Sequence, residues 1–299
     1  MRIVLERLSR RFGDRAVVED LSLEVRSGEM LALLGSSGSG KSTLLSMIAG
    51  LLVPDTGRIH LGDILVNDPA VLVPARGRRV GMIFQELALW PNMTVRQHVH
   101  FVAPKEDPRP LLRELELEAR ADSRPASLSG GEAQRLAIAR AIAIRPSILL
   151  LDEPLGPLDR RLKEATLDLI RRVHRTRGTT SIYVTHDYEE ALRLADRVAV
   201  MTDGRIAQIG PPSQVYDRPV SEEAARLTGP VNVWEQDGRK RWARPESMQF
   251  SSDESGEGVV RGSRYLGGRW EIEVEIDGRT LRGYGPGPLS GRVRVRWNE

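Results

Sequence analysis

The loop Gly35-Ser36-Ser37-Gly38-Ser39-Gly40-Lys41-Ser42-Thr43 constrains this chain more than any other stretch, because it satisfies the full G-x-x-x-x-G-K-[ST] phosphate-binding pattern. Met30-Leu31-Ala32-Leu33-Leu34 before it is a short apolar run suited to a buried strand. Leu44, Leu45, Met47, Ile48, Leu51 and Leu52 after it recur at helical spacing. Strand, glycine loop and helix thus follow in the order that phosphate binding requires. The glycines let backbone N–H groups turn inward around phosphate oxygens, and the helix N-terminus adds its partial positive charge. Lys41 is expected to reach the β- and γ-phosphates and the Ser42 hydroxyl to ligate Mg²⁺.

A second nucleotide element is Ile148-Leu149-Leu150-Leu151-Asp152-Glu153, an apolar strand ending in two carboxylates. Its C-terminal end projects them toward the phosphate side of a parallel sheet. Asp152 is placed to hold Mg²⁺ through water, and Glu153 to orient and polarise the water that attacks the γ-phosphate. Between the two elements lies Leu128-Ser129-Gly130-Gly131-Glu132, followed by helical spacing in Arg135, Leu136, Ile138, Ala139 and Ile142. Ser129 with two glycines opening a helix is another anion site. One molecule already has a complete phosphate cradle at 35–43, so the second makes sense if it closes over a nucleotide held by another chain.

At 299 residues the chain has room for one large α/β domain and a smaller one. It has no cysteine, which rules out disulfides, thiolate metal sites and thiol catalysis and fits a reducing compartment. No signal-peptide-like start and no membrane-spanning apolar run is found, so a soluble, cytoplasmic chain is expected. Net charge is +3 with basic and acidic residues interspersed, a solvated surface rather than a nucleic-acid face.

Strands are expected within residues 1–28 around the Gly13-Asp14 turn, and at 80–84, 147–151, 181–185 and 196–201, with helical patterns between. That alternation implies a mostly parallel, covered sheet. Gly210-Pro211-Pro212, a helix-like 221–227 and Thr228-Gly229-Pro230 mark a boundary near 229. Beyond it the period changes to two: Trp270, Ile272, Val274 and Ile276 alternate with glutamates, Asp277-Gly278 reads as a hairpin turn, and 292–297 alternates again. A small β-barrel or sandwich is expected there. His98 and His100 read as pointing the same way on a strand, with no further ligand to make a metal site.

With these three elements in register, the chain resembles the ATP-binding subunits of ABC transporters over residues 1–229. Residues 35–43 match that family's Walker A motif, 148–153 its Walker B motif, and 128–132 its signature sequence. The resemblance implies an α/β P-loop NTPase of ABC type, with a helical subdomain at about 86–145. Gln85, after Gly81-Met82-Ile83-Phe84, would be the Q-loop glutamine that senses Mg²⁺ and water and faces the membrane subunit. His186, after Ile182-Tyr183-Val184-Thr185, would be the switch histidine on the γ-phosphate, and Asp159 the D-loop aspartate that joins two sites across a dimer. Phe12 stands where the family stacks an aromatic on adenine. Taken alone, Gln85 reads as a surface polar residue, His186 as a capping histidine and Phe12 as core; their registers with three motifs favour the functional roles.

Residues 230–299 resemble the OB-like transport-associated (TOBE) domain of importers for iron, polyamines, oxyanions and sugars, with Arg244-Pro245-Glu246 as the recurring element. The family reading implies ATP and Mg²⁺, a homodimer of ATPase subunits that sandwiches two ATP molecules between Lys41 of one chain and Ser129, Gly130 and Gly131 of the other, and hydrolysis that drives solute import. It also implies integral-membrane permease subunits, an extracytoplasmic solute-binding protein as an indirect partner, no nucleic acid, and a peripheral position on the cytoplasmic face of the membrane. The alternative is a non-transport ABC ATPase acting on nucleic acid or ribosomes, but such proteins carry coiled-coil insertions or a second cassette. Departures from the pattern are Glu132 in place of the common Gln, Pro157 stiffening the D-loop, and a short helical region broken by Pro104, Pro108 and Pro110.

Overall fold

The computed structural model describes residues 1–156, 158–236 and 239–297, so Pro157 lies outside the described residues. The chain divides into two compact units, one from Met1 to Val215 and one from Tyr216 onward.

The first unit opens with β1 (Ile3–Phe12) and β2 (Arg15–Val25), joined at Gly13-Asp14, then β3 (Met30–Leu34), α1 (Lys41–Ala49), β4 (Thr56–Leu61), β5 (Ile64–Asn67) and β6 (Val80–Ile83). Helices α2 (Val95–Val102), α3 (Pro108–Glu114) and α4 (Gly130–Ala143) lead to β7 (Ile148–Asp152), α5 (Arg160–Arg177), β8 (Thr180–Thr185), α6 (Tyr188–Leu194), β9 (Arg197–Thr202) and β10 (Arg205–Gly210). Helix α7 (Pro212–Asp217) crosses the division between the units.

The expected parallel sheet is present as β9-β3-β8-β7-β6, with β10 antiparallel on its edge. An antiparallel sheet, β2-β1-β4-β5, makes a separate layer. Alternate residues of the parallel strands feed two cores. Leu31, Leu33, Ile148, Leu150, Ile182 and Val184 pack with α1 and the antiparallel sheet, whereas Leu149, Leu151 and Tyr183 pack with α2, α4 and α5. Burial on both faces is why β3 and β7 read as unbroken apolar runs.

Two local readings are corrected. His98 and His100 lie on α2, not on a strand, and they do not share a face: His98 is fully buried and His100 is exposed. The start of that helix is legible in sequence, since Thr94 caps it and Gln97 closes a capping box of the S/T-x-x-E/Q kind. Pro108 does not break the region either. It begins α3 just after the Asp107 cap, where a missing N–H costs nothing.

The second unit holds α8 (Glu222–Leu227), the hairpin β11 (Asn232–Gln236) and β12 (Arg239–Ala243), and strands β13 (Met248–Ser252), β14 (Gly258–Tyr265), β15 (Trp270–Ile276), β16 (Arg279–Gly285) and β17 (Arg292–Trp297). The last five form one antiparallel sheet, β13-β17-β14-β15-β16, around Met248, Ile272, Val274, Leu281, Val293 and Val295. Beyond α8 the described residues hold strands and one short 3-10 turn at Pro245–Ser247. Arg244 is buried and donates to the carbonyls of Tyr216, Ala225 and Pro230 and to the Thr228 hydroxyl. That clamp gives the Arg-Pro-Glu element a structural role.

Candidate functional site

The register of the parallel sheet brings the chemistry together. Leu34 pairs with Thr185, Asp152 with Val184, and Ile83 with Leu151. The residues that follow β3, β6, β7 and β8 therefore leave the sheet at one edge, the C-terminal one, where α/β sheets bind ligands. They frame an open cleft of about 560 Å³ lined by Ser37, Gly38, Gly40, Lys41, Ser42, Thr43, Gln85, Glu153 and His186, together with Phe12, Arg15 and Val17.

The loop before α1 is shaped by close approaches that only glycine permits. A Cβ on Gly35 would come within 2.4 Å of the Met201 carbonyl oxygen, and one on Gly40 within 2.3 Å of that of Val17. Gly40 also sits at φ +102° as the N-cap of α1, with no side chain capping the helix. The first N–H groups of α1 thus have no side-chain acceptor of their own, which suits an anion. Lys41 is 4% exposed, and its Nζ donates to the carbonyls of Gly35 at 2.9 Å and Ser36 at 2.8 Å. Burial pulls its pKa down, opposed by the nearby Glu153 and Asp152 carboxylates. Ser39 is buried beneath the loop and its hydroxyl has no partner among the described residues.

Ser42 Oγ donates to Asp152 Oδ1 at 2.8 Å. Burial raises the pKa of Asp152, and that hydrogen bond lowers it. A hydroxyl and a carboxylate so paired are hard oxygen donors of the kind that would hold Mg²⁺. Glu153 adopts φ +42° just past the end of β7, its N–H bonded to the Val184 carbonyl at 3.1 Å. That conformation is costly for a non-glycine residue. Glu153 Oε2 lies 3.0 Å from His186 Nδ1. With the carboxylate ionised, Nδ1 carries the donated proton.

The sequence-predicted residues divide into two groups. The cleft gathers the phosphate loop, Gln85, Glu153 and His186, and Phe12, which is 50% exposed with Arg10 stacked 5.0 Å from its ring centroid. Gly35, Ser36, Ser39 and Asp152 do not line it but adjoin residues that do, Gly35 through the bond from Lys41 and Asp152 through its bond to Ser42, whereas Ser129, Gly130, Gly131 and Asp159 are neither in its lining nor next to it in the chain. Ser129 is exposed at the start of α4 and accepts from the Glu132 N–H, while Glu132 accepts from the Ser129 N–H at 2.8 Å and from Arg120 Nε at 2.8 Å. The departure at Glu132 thus completes a capping box. These bonds hold its carboxyl down at about 2, the Ser129 N–H first and Arg120 next. A Cβ on Gly131 would come within 2.5 Å of Leu162 Cδ1 on α5, so the end of that leucine side chain would have to shift. Asp159 caps α5, accepting from the Leu162 N–H at 3.0 Å.

Sequence reasoning misses Arg15, whose Nη2 donates to the Gly38 carbonyl at 3.2 Å in the cleft wall. It also misses Lys163, which pairs with Asp187, the neighbour of His186, and with Glu190 at 2.7 Å. Glu190 in turn accepts from the Tyr183 hydroxyl at 2.8 Å and from Thr185 Oγ1 at 2.7 Å. No motif announces these residues, because their roles rest on pairing across elements. An apolar groove of about 350 Å³ opens beside the Gln85 loop, lined among others by Leu51, Phe84, Trp90, Val102 and Ile144, of which Leu51 and Ile144 are exposed. Among the described residues no helix is long and apolar enough to cross a membrane.

The family profile described as ABC transporter matches residues 18–156. The sulfate/thiosulfate import ATP-binding protein of Thermosynechococcus vestitus is 39% identical over 94% of this chain and 89% of its own length. The chain belongs to the ABC transporter family. The Fe(3+) ions import ATP-binding protein of Fusobacterium nucleatum is 40% identical over 77% of this chain and 64% of its own length. A dimeric ATP-binding cassette solved in a post-hydrolysis state with ADP and phosphate superposes with a TM-score of 0.63 at 30% identity, covering 70% of this chain and 98% of that one. A Clostridium perfringens cassette that is part of an ABC transporter complex gives a TM-score of 0.64 at 28% identity, over 71% of this chain and 89% of its own. This ABC ATPase is an import-type, ATP-hydrolysing subunit.

Proposed function

We propose that two copies of this ABC ATPase close face to face on two ATP molecules, and that closure and hydrolysis drive a membrane permease. The carrying observation is the division of the site: a cleft holds the phosphate loop and Glu153, while Ser129 stands exposed elsewhere. Within each cleft Lys41 and the N–H groups of α1 take the β- and γ-phosphates, and Phe12 takes the adenine by stacking. Ser42 and Asp152, with Gln85 beside them, would hold Mg²⁺, which when bound neutralises phosphate charge. Glu153 accepts the proton of the attacking water. His186, held by Glu153, contacts the γ-phosphate, and Ser129 with the N–H groups of Gly130 and Gly131 caps it from the second chain, aligned by Asp159.

The apolar groove beside the Gln85 loop suits a short permease segment, which would put this chain on the cytoplasmic membrane face. An extracytoplasmic solute-binding protein would deliver the solute. We read residues 1–229 as the ATPase domain, with about 86–145 as its helical subdomain, and 230–299 as an OB-like transport-associated domain, supported by its five-stranded antiparallel sheet. Two relatives that align over 93–94% of this chain are sulfate/thiosulfate import proteins, which favours a tetrahedral oxyanion as the solute. Deleting the chain from its parent cell should abolish uptake of labelled sulfate, restored by the wild type and not by Glu153→Gln. Lost polyamine or iron uptake instead would move the solute but keep the importer. Intact uptake of all three, with salt-sensitive nucleic-acid binding, would contradict the reading.

A further inference from the structure

After Gln85 the chain makes a turn that non-glycine residues rarely adopt: Leu87 at φ +55° and Ala88 at φ +47° are consecutive left-handed residues. Such a pair costs free energy at each residue and persists only where its surroundings fix it. The fixing group is Arg140, in the last turn of the helix that Ser129 caps. Arg140 is 8% exposed, and its guanidinium donates to the carbonyls of Leu87, at 2.8 Å, and Ala88. It also lies 5.1 Å from the Trp90 ring centroid. A second tie holds the same segment: the Trp90 N–H donates to His98 Nε2 at 2.9 Å, while His98 Nδ1 lies 2.7 Å from the Thr94 carbonyl. A histidine that accepts at Nε2 carries its proton on Nδ1, so the ring is neutral and its tautomer fixed.

A buried cation held by carbonyl oxygens is an expensive way to pack a loop, since desolvation costs several kcal/mol for an ion in general and apolar residues of similar volume often do as well. The arrangement makes sense as a mechanical tie. We propose that Arg140 is a positioning residue that joins the loop of Gln85 to α4, so that Gln85 in one nucleotide cleft and Ser129 at the other move as one body. The inference rests on the reading of Gln85 as a group that meets the nucleotide and its water. It makes Arg140 act on turnover only through Gln85. Removing the tie leaves the phosphate loop intact, so nucleotide affinity stays and the catalytic step slows.

A double-mutant cycle on the full chain tests this, with Arg140→Gln, Gln85→Ala and the pair, each assayed for ATP turnover and for ATP KM. Expected are a drop of about tenfold in kcat for Arg140→Gln with KM within twofold, and a double variant no slower than Gln85→Ala alone. Arg140→Lys keeps a charged donor for one carbonyl and should recover part of the loss; it also carries the cycle if Arg140→Gln fails to fold. Losses that multiply in the double variant, or wild-type turnover in Arg140→Gln, overturn the proposal. Wild-type turnover in Gln85→Ala would instead overturn the reading of Gln85 on which it rests.

Discussion

Helices α1 and α4 both start beside glycines, Gly40 capping the first and Gly130 opening the second, yet their first turns are built in opposite ways. The start of α1 has no side-chain cap; Gly40 turns left-handed there and Lys41 is folded back onto the carbonyls of its own loop. The start of α4 is closed twice over by the Ser129 and Glu132 capping box, reinforced by Arg120. One end is kept open for an anion and stabilised by burial of Leu44, Leu45, Met47 and Ile48, each worth about 1.5–3 kcal/mol. The other is stable without a ligand and presents an exposed serine. On the proposed reading the first end binds on its own, whereas the second is a preformed surface that needs something brought to it.

Lys41→Ala separates the two ends most widely. It removes the buried cation at the open end and should weaken ATP binding and cut kcat/KM by at least about 100-fold, measured by nucleotide titration and steady-state turnover. Ser129→Ala should spare ATP binding to the single chain, lower kcat by about 10-fold or more, and cost α4 about 1 kcal/mol in denaturant unfolding. Equal loss of nucleotide affinity in both variants would erase the distinction, since it would put Ser129 in the same cleft as Lys41.

Glu132→Gln probes the closed end alone and has the smallest effect. The amide can still accept from the Ser129 N–H but loses its charge toward Arg120, costing about 0.5 kcal/mol near neutral pH. The sign with pH follows from a carboxyl lowered from 4.5 to about 2 by folding. The unfolded chain takes up that proton first, so the stabilisation is full above 4.5 and fades as pH falls toward 2. The stability gap between wild type and variant should narrow over that window and stay flat above it.

Much of the cleft is legible in sequence because phosphate binding ties residue type to fixed spacing. Residues 35–43 and 148–153 announce themselves, and the apolar runs Met30–Leu34 and Ile148–Asp152 are strands buried on two faces. The unread parts depend on contacts between distant segments. Strands β4, β5 and β10 carry weak alternation and take their place by pairing with one another and with β1 and β9. Arg140, Arg15 and Lys163 look like three of many surface cations until the fold brings carbonyls or carboxylates to them. Helix α2 imitates a strand in sequence because two histidines and valines alternate within it, although the Thr94 and Gln97 cap marks a helix start.

If one chain supplies half of each ATP site, a variant that binds ATP without hydrolysing it must pair. Glu153→Gln removes the base while leaving Lys41, Ser42 and Ser129 in place, so with ATP it should sediment as a dimer, turn over no ATP, and revert to monomer when Ser129→Arg is added. A Glu153→Gln chain that stays monomeric at saturating ATP, or hydrolyses it at the wild-type rate, would contradict the shared site.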